Sequence, residues 1–70
     1  MGSVYKVIEI VGTSESSWED AASTAIETAG KTLRDLRIAE VTKQDVVISD
    51  DGKAESFRVK LSVSFKYDAD

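Results

Sequence analysis

Histidine and cysteine are both absent from this 70-residue chain, so its chemistry rests on 13 carboxylates and nine Lys or Arg side chains. That removes the usual transition-metal ligands, the usual general base, thiolate sites and any disulfide framework. Ser-His-Asp, Cys-His and HExxH catalysis are excluded with them. The remaining candidates are oxygen donors and fixed cations. Asp50 and Asp51 can present oxygens to a hard cation, although Asp-Asp-Gly is also ordinary turn chemistry and no EF-hand loop is present. Glu15, just before a helix, favours the positive end of the helix dipole. Arg58, Lys60 and Lys66 alternate along one stretch and share a face if that stretch is a strand. Read structurally, such a patch makes cross-strand and inter-subunit ion pairs.

These residues are positioned by four elements. The first strand is predicted from Val4 to Thr13, β-branched and stopped by Gly12. Its apolar residues do not choose a side: Val4, Ile8 and Ile10 line one face, Tyr5, Val7 and Val11 the other. One helix cannot cover both, so the second face calls for another copy. Ser16 and Glu19 match a capping box, and Glu19 and Asp20 suit the first helical turn. From Trp18 the buried stripe runs through Ala21, Ala22, Ala25, Ile26, Ala29, Leu33 and Leu36. It is mostly alanine, which allows close approach to a sheet, and Trp18 is expected to be the large core anchor.

A second strand is predicted from Ile38 to Ser49, then a turn at Asp50-Asp51-Gly52-Lys53. The last strand alternates Phe57, Val59, Leu61, Val63, Phe65 and Tyr67 with polar residues, so one face packs on the helix. Glu40, Thr42 and Gln44 are expected across from the basic patch. The expected class is α+β: β-α-β-β, a three-stranded antiparallel sheet wrapped on one helix, as a single domain over 1–70. At this size one core supplies about 3–5 kcal/mol, and a partner is the usual supplement. The net charge of −4 argues against nucleic acid. No run reaches the roughly 18 apolar residues of a membrane span, and Met1-Gly2-Ser3-Val4 lacks a signal-peptide plan, so a cytoplasmic location away from membranes is expected.

The order VYKVIEIVGTS, SWEDAA, Ala39-Glu40-Val41 and a terminal Val63-Ser64-Phe65 resembles the dodecins, from about Val4 to Tyr67. The resemblance implies a small-ligand-binding protein, not an enzyme, that assembles into a hollow homododecamer, with Tyr5, Val7, Arg58 and Lys60 between copies. In flavin-binding members a tryptophan stacks on the isoalloxazine ring and a glutamine bonds its polar edge. The matching positions here are Ile38 and Arg58, with Gln44 read as a third pocket position. Ile38 offers no aromatic face, and Arg58 brings five donors and a fixed charge in place of an amide. These departures, with Arg37-Ile38 replacing the tryptophan region, resemble the actinobacterial calcium-dodecin branch. Glu15 matches an acidic position of the family's GTSEE segment, and copies meeting on symmetry axes would multiply its oxygens for calcium or another cation, as they would those of Asp50 and Asp51. Some dodecins also associate with coenzyme A, so the resemblance offers the basic patch a phosphate-holding role. Flavin storage in an altered pocket is the alternative reading.

Overall fold

The computed structural model describes residues 2–67. It contains β1 (Tyr5–Ser14), α1 (Trp18–Gly30), β2 (Leu36–Ile48) and β3 (Ala54–Lys66). The strands form one antiparallel sheet in the order β1-β3-β2, so the expected β-α-β-β architecture is what the chain adopts. Alternation in β3 explains its central place: Val59, Leu61 and Val63 are buried under α1, while the intervening residues face away from it. Ala21 and Ala25 of α1 complete this core, with Ile8, Ile10, Trp18, Ala22, Leu36 and Ala39 packed around it.

The helix begins one residue later than the capping-box motif predicts. Ser17 is the cap, extended at φ −166° and ψ 164°, and its hydroxyl accepts from the Asp20 amide at 3.0 Å. Ser16 is displaced from that role because the buried Ser14 hydroxyl accepts from the Ser16 amide at 2.9 Å while donating to Asp20 Oδ2 at 2.7 Å. The helix also ends earlier, at Gly30, so Leu33 lies in the connection and Leu36 opens β2. The last carbonyls are closed by Lys31, Thr32 and Leu33 amides, and Asp35 then takes left-handed backbone at φ 60°. The Asp35 carbonyl accepts from the Lys66 amide at 3.2 Å, which brings β2 in alongside β3.

Trp18 is the expected anchor. Its indole meets Phe57 edge-on, with centroids 5.2 Å apart and planes at 74°, and its N–H donates to the Asp45 carbonyl at 3.1 Å. The hairpin turn also follows its sequence: Gly52 has φ 81°, and the Ser49 amide and carbonyl bond to Lys53 and Gly52.

Candidate ligand-binding face

The sheet face away from α1 is built in cross-strand rows. Val7, Ser64 and Ile38 form one, Glu9, Ser62 and Glu40 the next, then Val11, Lys60 and Lys43, then Thr13, Arg58 and Asp45. Lys43 and Asp45 reach this face because β2 bulges between Val41 and Lys43. Thr42, the extra residue, donates its hydroxyl to the Lys60 carbonyl at 3.1 Å. The bulge overturns the expected alternation: Gln44 sits opposite Val59, on the helix side, in a cleft with Trp18, Glu19, Ala22 and Val41. It therefore does not lie across from Arg58. The sequence signal for this slip is the odd spacing of Val41 and Val46, which share a face only if one residue between them is extra.

Arg58 and Asp45 form a two-pronged ion pair, with Nε and Nη2 each 2.7 Å from a carboxylate oxygen. The Arg58 hydrogen bonds hold the Asp45 carboxyl below its ordinary value, and Asp45 in turn raises Arg58. Both side chains are about half exposed, at 42% and 48%, so the pair organises the face more than it stabilises the fold. On the β1 side Lys60 Nζ lies 3.5 Å from Glu9 Oε1. Val11, Lys43, Asp45, Arg58 and Lys60 line a cavity of about 110 Å³.

The pocket positions inferred from resemblance do not converge within one chain. Ile38 is 67% exposed beside Ser64, whereas Arg58 is six residues further along β3, about 20 Å away. A pocket containing both needs residues from two copies. Tyr5 and Val7, expected between copies, lie on this same open face and are exposed. Among the cation candidates, Glu15 is exposed in the β1–α1 turn, Asp50 is exposed at the hairpin, and Asp51 accepts from the Ser49 hydroxyl. Among the described residues no group of three or more His, Cys, Asp or Glu could hold a metal ion. No helix among those residues is long and apolar enough to cross a membrane.

One helix over a three-stranded antiparallel sheet with an uncovered, charged face defines a small α+β domain. The Dodecin family model matches residues 4–68, and the chain belongs to the dodecin family. It is 50% identical over 64 residues to the calcium dodecin of Mycobacterium tuberculosis, covering 91% of this chain and 89% of that one. It is 44% identical over 66 residues to the dodecin of Thermus thermophilus, covering 94% of each. The solved structure of the M. tuberculosis protein, described as a calcium-chelating antigen with a novel calcium-binding site, superposes with a TM-score of 0.84 at 48% identity, covering 96% of this chain and 94% of that one.

Proposed function

We propose that the chain is a non-enzymatic, cytoplasmic dodecin that assembles as a hollow homododecamer and binds calcium or a similar hard cation in preference to flavin. The observation that carries this reading is the pair of changed positions. An exposed aliphatic Ile38 stands where a stacking aromatic is needed, and Arg58 has Nε and Nη2 engaged by Asp45. The half-identical relative named calcium dodecin supports the same choice. Glu15, Asp50 and Asp51 are the proposed oxygen donors. Hard cations take roughly six to eight oxygens, and one carboxylate becomes several where copies meet. Tyr5, Val7, Arg58 and Lys60 are the proposed contacts between copies.

Calorimetric titration with calcium, alongside riboflavin fluorescence quenching, tests the cargo. Calcium binding that is lost in Glu15→Gln or in Asp50→Asn/Asp51→Asn, with no quenching, is the expected result. Micromolar quenching by the wild type overturns the preference and restores flavin storage. The double change Ile38→Trp with Arg58→Gln is expected to install flavin binding.

A further inference from the structure

We propose that Asp51-Gly52 is the chain's site of spontaneous conversion to isoaspartate, and that Ser49 is the residue that restrains it. The chain has no asparagine, and of its aspartates only Asp51 precedes a glycine. Without a side chain, Gly52 offers the preceding carboxyl an uncrowded and freely turning backbone nitrogen. In the reaction the Gly52 amide loses its proton, its nitrogen bonds to Asp51 Cγ, and one carboxyl oxygen leaves as water. Water then opens the five-membered imide at either carbonyl. Opening at the main-chain carbonyl leaves the chain running through the former side chain, one carbon longer and unchanged in mass. One water leaves and one enters, so water is the only co-reactant.

The folded hairpin engages both reacting groups elsewhere. The Gly52 amide donates to the Ser49 carbonyl at 2.9 Å, and the Asp51 carboxylate accepts from the Ser49 hydroxyl. Ser49 is itself fixed from the far side of the turn: its amide donates to the Lys53 carbonyl at 2.8 Å, and its Oγ accepts from the Lys53 amide at 3.3 Å. One residue thus holds the attacking nitrogen through its main chain and the attacked carboxyl through its side chain. Ring closure requires both bonds to open together. Once formed, the longer backbone displaces the Gly52 amide from the Ser49 carbonyl, and the turn joining β2 to β3 loosens. The reaction joins two adjacent residues of one chain. It therefore needs no open surface in an assembly and does not rest on the cation reading.

The experiment ages wild type, Ser49→Ala and Ser49→Thr in warm neutral buffer with EDTA, so that no cation held by Asp51 contributes. Wild type unfolded in guanidinium chloride supplies the unrestrained rate. Trypsin releases residues 44–53 as one peptide, which isoaspartate splits into two chromatographic peaks of equal mass, and fragmentation assigns the altered position. The folded wild type is expected to convert at least about tenfold more slowly than the unfolded chain, since two hydrogen bonds must open. Ser49→Ala keeps the main-chain bond and loses the hydroxyl, so it should convert about fivefold faster than the folded wild type. Ser49→Thr restores the hydroxyl and should stay within about twofold of the wild type. A folded wild type as fast as the unfolded chain would overturn the restraint. So would a Ser49→Ala rate equal to the wild type's, or a Ser49→Thr rate equal to that of Ser49→Ala. Isoaspartate accumulating at Asp45 or Asp50 before Asp51 would overturn the site itself.

Discussion

Asp45 joins the two sides of the sheet through different atoms: its carboxylate holds Arg58 on the open face, while its carbonyl accepts the Trp18 indole N–H. Replacing the side chain with an amide therefore removes the ion pair and leaves the main-chain bond to Trp18. The folded-state pKa of Asp45 lies below its ordinary 3.8, chiefly through the Arg58 hydrogen bonds. The stabilisation is then fully present above the unfolded value and is lost as pH falls through the folded one. Asp45→Asn is expected to melt slightly below the wild type at neutral pH. The difference should shrink as pH falls below 3.8 and should also fade in high salt, because the pair is exposed. Melting temperatures of both proteins across an acid series check this. A gap that stays constant with pH would assign the loss to something other than the carboxylate.

At one point β1 comes into tight contact with α1, where Gly12 permits the approach. A Cβ built on Gly12 runs into the Ala21 carbonyl oxygen and comes within 2.8 Å of the Ala25 Cβ. The obstacle is helix backbone, which cannot turn aside, so Gly12→Ala has to lift α1 from the sheet. A loss of about 1–3 kcal/mol is expected. At Gly30 an added Cβ meets only Leu36 Cδ1, at 3.9 Å, and Gly30→Ala should be within about 0.5 kcal/mol of the wild type. Urea unfolding of the two variants measures the contrast, and equal stabilities would mean that α1 is not held at this distance. The same seam explains what could be read from the letters. Periodicity records burial, so the alanine stripe and the alternation of β3 foretold the layers. It does not record conformation: Leu33 and Leu36 continue the helical spacing because the chain beyond Gly30 still folds toward the core. On the open face, Arg58 and Lys60 follow from the parity of β3, but Lys43 and Asp45 were hidden behind the bulge at Thr42, which exchanged them with Gln44. The roughly 20 Å between Ile38 and Arg58 was equally invisible, since the separation of two strand positions follows from the register of β2 on β3 and not from residue type.

As a whole the molecule measures 55 × 20 × 15 Å, and one helix is too short for it. Thirteen helical residues rise about 20 Å, whereas 13 strand residues run about 43 Å, and α1 lies mainly over β1 and β3. Much of the apolar surface is left open: Tyr5, Val7, Val11 and Ile38 on the far face, and a groove of about 710 Å³ between β1 and α1 walled by Ile8, Ile10, Ala25 and Ala29. A core centred on five small or medium side chains, Ala21, Ala25, Val59, Leu61 and Val63, adds little to a domain of this size, for which about 3–5 kcal/mol is typical. Folding and assembly should consequently be linked, with a melting temperature that rises with protein concentration. Val7 offers the sharpest test, because it is 61% exposed in the single chain. Val7→Glu costs little if that face stays in water. In a seam between copies the same change buries a carboxylate without a partner, a penalty of several kcal/mol at each repeat. Light scattering should then find particles smaller than the wild type's, together with a lower melting temperature. Lys31→Gln, just past the exposed end of α1, should keep the particle mass and stay within about 0.5 kcal/mol of the wild-type stability. If Val7→Glu also keeps both, the second apolar face of β1 is not where the copies meet, and the groove between β1 and α1 becomes the surface that has to be covered.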